Sequence, residues 1–412
     1  MTPKEQAAAH ERLNKSFTPH RPIDVPEFFS GRRNLLYRAA DAANTSGLHI
    51  ILFGDRGTGK TSIARVLART IQEPERPDGR RAILVSCTSS DDYISIWRKV
   101  FREIQVAERQ LGFMQHAVAE IVGRLDVDDT LQGPNDIRLF VQSLPNPSLI
   151  VIDEFDRVPP DSNARRLMAD TIKLFSDTDV QSTLLLVGVA ESISELIAEH
   201  QSIARNIAQI IVEPMTVDEL GEIIQNGFKR AELDYEEGIG DRIAHLSQGY
   251  PHYTHLLGLW AGRRAVEDGR TRVTMDDLNR AIPDALSNAA GAVRQEYEQA
   301  VASSRANTLY KDVLLACALA GKDSLGRFSA VDVRRPLRRI TGQPYDIGAY
   351  QAHLAKFCEP DRGPVLKRTG RRRSYRWQFV NPQLIPYVLL EGIKAGRVGW
   401  SVIAEAGSSS ER

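Results

Sequence analysis

The sequence predicts an α/β chain in which a parallel sheet, covered on both faces, precedes a small all-helical region and a last segment of three helices and a hairpin. Three observations lead there. Short apolar runs alternate with longer helix-like stretches between residues 48 and 212. That alternation stops after Pro214. The last segment is strongly basic and turns around a glycine. Strands that alternate with helices pack as a parallel sheet between helical layers.

The first apolar run, Leu48–Phe53, ends at a glycine, as a buried strand does. Similar runs recur at Ala82–Ser86, Leu149–Ile152, Leu184–Val187 and Ile210–Val212. Helical spacing is read between them in Ser62–Ile71, Asp91–Glu108 and Asn163–Phe175, and ahead of them in Arg32–Ala43. Residues 1–30 hold four prolines and little periodicity, which predicts an extended lead-in. Four helices are predicted over Thr216–Lys229, Gly238–Ser247, His252–Val266 and Met275–Ala285. Thr216 with Glu219 and Thr274 with Asp277 have the spacing of helix start signals. Ser287–Arg305, rich in Ala and Ser, reads as a linker. Tyr310–Ala320, Ser329–Arg339 and a face formed by Ile347, Tyr350, Leu354 and Phe357 give three more helices. Val365–Trp377 reads as a hairpin turning near Gly370, and Asn381–Lys394 as a closing helix. Three helices followed by a hairpin is the layout of a winged helix-turn-helix. The expected division is a lead-in at 1–30, a sheet domain at 31–214, a helical lid at 215–290, a winged-helix domain at 306–398 and a tail at 399–412.

The 412 residues suit two or three domains, and 42% hydrophobic with 26% charged residues is ordinary for a soluble globular protein. No apolar run approaches the ~20 residues of a membrane helix. Met1–Ser16 lacks the apolar core of a secretory signal, so a cytoplasmic setting without a membrane partner is expected. Cys87, Cys317 and Cys358 are odd in number and far apart, which fits buried small side chains in a reducing compartment. The net charge of zero hides an asymmetry. Residues 301–412 hold 19 Lys+Arg against 9 Asp+Glu, so the other 300 residues carry a net charge of −10. A basic segment on an acidic body suits an anionic partner, or docking of one part on the other.

Gly54-Asp55-Arg56-Gly57-Thr58-Gly59-Lys60-Thr61 matches the phosphate-binding pattern G-x-x-x-x-G-K-[ST] in full, after a strand and before a helix. Its glycines let backbone N–H groups converge on phosphate oxygens at a helix N-terminus, where Ser62 follows. Lys60 is expected on the β- and γ-phosphates of ATP, and Thr61 on Mg²⁺. Leu149–Ile152 delivers Asp153 and Glu154 at the C-terminal end of a buried strand, where such sheets bind ligands. Asp153 is expected to hold Mg²⁺ through water, and Glu154 to orient or deprotonate an attacking water. No histidine or cysteine spacing suits a structural metal, including His245, His252 and His255, and no nucleophile elbow is present.

With these two motifs and the helical lid, the chain resembles the AAA+ ATPases over about residues 20–395. The nearest likeness is to replication-initiator and origin-recognition ATPases with a C-terminal winged helix, and to the signal-transduction P-loop ATPases that serve as switches in regulation and defence. The resemblance implies an adenine-lining segment at Phe28-Phe29-Ser30-Gly31-Arg32, with Phe29 and Arg32 near the nucleotide. It implies a sensor position near Glu191, where the initiators usually have Asn, with Ser192 as the alternative. It implies that Arg205 is an arginine finger reaching a neighbouring subunit's nucleotide, hence a possible homo-oligomer, or else a plain surface arginine. Gly249-Tyr250-Pro251-His252 resembles the wording with which the signal-transduction ATPases touch the base through Pro251. The initiators' lid arginine is replaced by His252 or Tyr253, which implies slow or partner-stimulated hydrolysis. A processive motor is not indicated, because Tyr93 and Trp97 read as helix packing rather than as pore-loop aromatics.

In the last segment, Arg334, Arg335, Arg338 and Arg339 share one helix, and Lys367, Arg368, Arg371, Arg372, Arg373 and Arg376 crowd the hairpin with Tyr375 and Trp377. Such a wing suits DNA phosphates or the minor groove. The third helix, with Asp346, Gln351, His353 and Lys356, would enter the major groove. Two readings follow. One is a nucleotide-switched ATPase that binds DNA. The other is a regulatory ATPase of a mobile-element or antiphage defence system, whose winged helix docks a partner protein or effector.

Overall fold

The apolar runs become five parallel strands: β1 (His49–Gly54), β2 (Arg81–Ser86), β3 (Ser148–Asp153), β4 (Thr183–Val189) and β5 (Ile207–Ile211). The computed structural model describes residues 1–73, 76, 79–110, 133–178, 180–190, 201–303, 308–323, 325–371 and 374–408. The strand order is β2-β3-β4-β1-β5. Every residue of β1 and β3 is buried, which is why both read as unbroken apolar runs and not as alternating ones. Helices Arg33–Asn44 and Lys60–Ile71 cover one face, closing over Ile50, Leu52, Val151, Leu185 and Val187. The other face holds Ile152, Leu184 and Leu186 against Trp97, Phe140 and Phe175 from helices Tyr93–Gln110, Pro134–Gln142 and Ala164–Asp177. Tyr93 and Trp97 are buried in that layer, so they pack a helix as read. This compact unit comprises Pro22–Glu213.

The second unit joins Met1–Arg21 to Pro214–Arg412. Capping boxes at Thr216/Glu219 and Thr274/Asp277 start helices Val217–Ala231 and Met275–Asn288. Ile239–Ser247 and Pro251–Glu267 lie between these two in sequence, with a two-residue parallel pair, β6 (Asp234–Tyr235) and β7 (Arg272–Val273). Helices Tyr310–Leu319, Ala330–Thr341 and Ile347–Lys356 precede an antiparallel hairpin, β8 (Leu366–Thr369) and β9 (Arg376–Phe379). Phe328 adds a bridge to Trp377 on the other side of β9. Helix Leu384–Lys394 follows.

Four expectations need correction. The lead-in is not extended: Pro3–Ser16 is a helix with a Thr2/Glu5 capping box. It packs on Val217–Ala231 and Pro251–Glu267, because three glycines make room for it. A Cβ at Gly227 or Gly258 would stand 2.3 or 2.6 Å from the Phe17 ring, and one at Gly262 would stand 2.6 Å from Leu13. The expected linker contains helix Gly291–Val301, which buries Val293 and Ala300. The expected tail contains helix Trp400–Ser408, which buries Ile403. Finally, lid and last domain are not separate bodies. One apolar core runs from Leu13 and Phe17 through Phe228, Leu257 and Leu278 to Val313, Trp377, Leu389 and Ile403.

Phe17 is 1% exposed and meets Phe228 edge-on at 5.1 Å between centroids. Phe17→Ala should destabilise the helical unit by about 3–5 kcal/mol, the range for emptying an aromatic site in a core. Denaturant unfolding followed by circular dichroism reads this as a lower midpoint. An unchanged midpoint would mean that the N-terminal helix adds nothing to this unit.

Candidate nucleotide site

Because all five strands run the same way, β1 and β3 end at one edge of the sheet. With β4 between them, their ends are two strand spacings apart, about 10 Å. The loop after β1 is shaped by its glycines. Gly54, Gly57 and Gly59 have φ of 140°, 82° and 92°. At Gly54 a Cβ would also stand 2.5 Å from the carbonyl oxygen of Val212. Helix Lys60–Ile71 begins directly after Gly59, so its first N–H groups face the loop. Thr58 is buried, and its hydroxyl donates to the Asp55 carbonyl at 2.9 Å. Arg56 is exposed, whereas Asp55, Thr61 and Ser62 are partly buried.

Lys60 is 7% exposed, and its ammonium donates to the carbonyls of Gly54 at 2.9 Å and Asp55 at 2.6 Å. It is thereby held across the mouth of the loop. Burial pushes its pKa down to about 8, against the opposing pull of Asp156, Asp55 and Asp153 and with some help from Arg32.

Asp153 ends β3, buried, and its Oδ1 accepts from the Glu154 N–H at 2.9 Å. Glu154 has a φ of 55° and is exposed, with Oε2 2.9 Å from an Arg157 guanidinium nitrogen. Phe155 is fully buried, which anchors the turn Phe155–Arg157. Asp156 Oδ1 accepts from the Val189 N–H at 2.8 Å, tying that turn to the end of β4. Asp156 is a site residue that sequence reasoning missed. The signal was there, since Asp153-Glu154-Phe155-Asp156 puts a third carboxylate one turn past the strand.

A magnesium ion fits this edge. Mg²⁺ keeps several waters and takes one or two protein oxygens beside phosphate oxygens, not a closed protein cage. Asp153 and Thr61 supply that kind of partial set, and no group of three or more His, Cys, Asp or Glu suited to a metal is found among the described residues. His245, His252 and His255 each engage backbone instead, at Asp241, Pro19 and Thr18.

The remaining expected positions divide. Phe29 packs partly buried on the helical layer that includes Lys60–Ile71. Arg32 is buried with a φ of 56°, and its guanidinium donates to the Glu213 carbonyl just past β5. Ser62 accepts from the Ile23 N–H at 3.1 Å, so its hydroxyl holds the segment before Phe29. Arg205 does not join the site of its own chain. It is exposed in the turn Gln201–Asn206 before β5, and the pairing of His49 with Ile207 puts that turn at the opposite edge of the sheet. A six-residue strand separates the two edges by about 20 Å. Pro251 opens its helix after Gly249, where φ is 85° and a Cβ would stand 2.4 Å from Pro214. Glu191 and Ser192 lie outside the described residues.

The basic residues of the last segment also divide. Arg334 pairs with Asp346 at 3.2 Å, Arg376 with Asp332 at 3.7 Å, and Arg335 and Arg339 with Glu405 at 3.7 and 2.6 Å. These expected anion-contacting arginines have acid partners within the chain, because helices bring the acids alongside them. Arg368 lies over the Tyr375 ring at 4.4 Å, and Lys367 is partly buried. Arg338 and Arg371 are exposed without an ion pair among the described residues. Arg372 and Arg373 lie outside them. Helix Ile347–Lys356 exposes Gly348, Ala349, Gln351, Ala352 and Lys356, the last paired with Glu359 at 2.5 Å.

Because burial lowers the Lys60 pKa to about 8, affinity for ATP should fall as pH rises through that value. Equilibrium binding across this range should show the fall in the wild type. It should be absent in Lys60→Ala, whose affinity is lower throughout. A wild-type affinity flat across the same range would contradict the role given to Lys60.

Residues 43–197 match a family model described as an AAA domain. Among solved structures, Cdc6p from Pyrobaculum aerophilum is 15% identical, with 97% of this chain and 99% of that one covered and a TM-score of 0.47. The Walker-type ATPase PABY2304 of Pyrococcus abyssi is 17% identical over 90% and 99% of the two chains, with a TM-score of 0.49. The Aeropyrum pernix Orc1 protein, solved in complex with DNA, is 17% identical over 94% and 97%, with a TM-score of 0.49. No curated protein matches the sequence. The loop Gly54–Thr61 and strands β1 to β4 fall within the matched residues, so this part of the chain is similar to an AAA domain.

Proposed function

We propose that the chain is an ATP-operated switch that hydrolyses ATP slowly and binds DNA through its basic C-terminal part. The observation that carries the nucleotide half is the meeting of Lys60, Asp153 and Glu154 at one sheet edge, with Asp156 beside them. In this reading the loop N–H groups and Lys60 bind the β- and γ-phosphates, while Thr61 and Asp153 hold Mg²⁺, which neutralises charge developing on the phosphates. Glu154 orients the attacking water and takes its proton. Arg205 lies too far from its own loop to serve there, so in this reading it acts on a second copy's nucleotide. Phe29 and Arg32 border the base and sugar in this reading.

The DNA half is supported by the three-helix and hairpin layout and by the exposed cations Arg338, Arg368 and Arg371, to which Arg372 and Arg373 belong in sequence. The layout suits a winged helix, with the small exposed side chains of Ile347–Lys356 allowing close approach to a groove. The shared core supports coupling: a displacement of the lid would carry the basic segment with it. A second reading, docking of a partner protein or effector as in a regulatory or defence ATPase, is favoured by the acid partners that Arg334, Arg335 and Arg376 already have.

Glu154→Gln should lower ATP turnover by about 100-fold or more while leaving ATP binding intact, in line with loss of a general base. Retained turnover would remove Glu154 from the mechanism. For DNA, log affinity should fall linearly with log salt by about 0.9 per phosphate contacted. Arg338→Glu with Arg371→Glu should therefore reduce that slope by about 2. Absence of duplex binding at low salt, with a protein partner retained through nuclease treatment, would favour the second reading.

A further inference from the structure

The chain leaves its N-terminal helix at Phe17 and enters the sheet unit at Pro22. Phe17 is sealed in the helical core, and the residues after it are held by two histidines of helix Pro251–Glu267. The Thr18 N–H donates to Nδ1 of His255 at 3.3 Å. The Pro19 carbonyl oxygen lies 2.7 Å from Nδ1 of His252. An amide N–H only donates and a carbonyl only accepts, so the two neutral rings hold opposite tautomers. His255 carries its proton on Nε2, and His252 carries its proton on Nδ1. Both Nε2 atoms are buried without a hydrogen-bond partner. The His20 ring stands edge-on to His252, 6.3 Å between centroids.

We propose that His252 and His255 form an acid-released latch on Thr18–Arg21, closed while both rings are neutral and opened when they take up protons. It goes beyond the nucleotide reading, since every residue in it belongs to the helical unit. A proton that reaches His255 goes to Nδ1, whose lone pair holds the Thr18 N–H, and turns that acceptor into a second donor. A proton that reaches His252 goes to Nε2, where no buried partner accepts from it. Burial holds the His255 pKa down to about 4, helped by His252 on the same helix and by the Arg230 guanidinium of helix Val217–Ala231. Burial also lowers the pKa of His252, with the nearby His20 acting the same way, against the opposing pull of the Pro19 carbonyl. A ring whose pKa is depressed in the closed form binds more protons in the open form. The latch is therefore secure above the ordinary value of 6.5 and is lost as pH falls toward about 4. The apolar anchor does not titrate, since Phe17 fills the space beside Gly227 and Gly258 and meets Phe228 edge-on. Opening is thus local, confined to the stretch between Phe17 and Pro22.

The test is hydrogen exchange of the full chain, read by mass spectrometry on a peptide that spans Thr18 and corrected for the intrinsic pH dependence of amide exchange. With the His255 pKa at about 4 closed and 6.5 open, protection at Thr18 should fall about 25-fold between pH 7.5 and pH 5. Peptides from Pro251–Glu267 and Met275–Asn288 should keep their protection over the same range. His255→Gln offers a side-chain oxygen to the Thr18 N–H and does not titrate, so it should lose most of this pH dependence. If that variant fails to fold, an NMR titration of the wild-type imidazoles replaces it: His255 should take up its proton over the interval in which Thr18 loses protection. Four results would overturn the latch: Thr18 protection flat from pH 7.5 to 5, a fall shared equally by all peptides, an undiminished fall in folded His255→Gln, or proton uptake by His255 over a separate interval.

Discussion

The site depends on one constraint, the parallel alignment of five strands with β4 inserted between β1 and β3. Parallel strands put all their C-terminal loops on one edge, so the phosphate loop and the carboxylates meet without any long-range folding of loops. The inserted strand sets their separation. It also supplies the N–H of Val189, which Asp156 accepts, so the turn that carries Glu154 is fastened to the strand beside the phosphate loop. On the other side, Gly54 packs so closely on Val212 that no side chain fits, and the Val212 N–H donates to the Phe53 carbonyl at 2.7 Å. The loop is therefore held from both neighbours, through β4 and through the exit of β5.

A different constraint governs the helical unit. Among the described residues its core is continuous from the N-terminal helix to the last one. Specific contacts reinforce this. The Tyr253 hydroxyl, one turn into the helix that Pro251 opens, donates to the Gln383 carbonyl ahead of Leu384–Lys394 at 3.0 Å. Asn381 donates to Glu296, and Trp400 donates to Asn279 while Arg242 lies over its ring at 4.9 Å.

How much of this was legible in the sequence follows from where the information lay. The sheet and the phosphate loop were readable because burial on both faces leaves unbroken apolar runs and because the loop's glycines are imposed by backbone conformation. Asp153 and Glu154 were readable by their place at the end of such a run. The N-terminal helix was not, because it buries chiefly Ala9 and Leu13 and otherwise exposes charged and small residues. Its strongest evidence is distributed, in Gly227, Gly258 and Gly262, which look like poor helix residues until Phe17 and Leu13 fill the space beside them. The continuity of lid and last domain was hidden for the same reason: Gly291–Val301, read as a linker, fully buries Val293 and Ala300 and packs Tyr297 and Val301 against the core only in part.

Charge was the least legible property, because a count of arginines says nothing about their partners. On helix Ala330–Thr341 the four arginines form two stripes, since residues four apart share a face. Arg335 and Arg339 point to Glu405 of the last helix, and that helix is itself seated by Ile403 and Trp400. Arg334, on the other stripe, is drawn to Asp346 at the start of Ile347–Lys356, while Arg338 on the same stripe stays exposed. The first stripe is therefore engaged with an acid of the last helix, and the second is split between Asp346 and solvent. Among the described residues, fewer of the expected cations stand without an acid partner than the arginine count suggests, and Arg338, Arg368 and Arg371 are exposed without one.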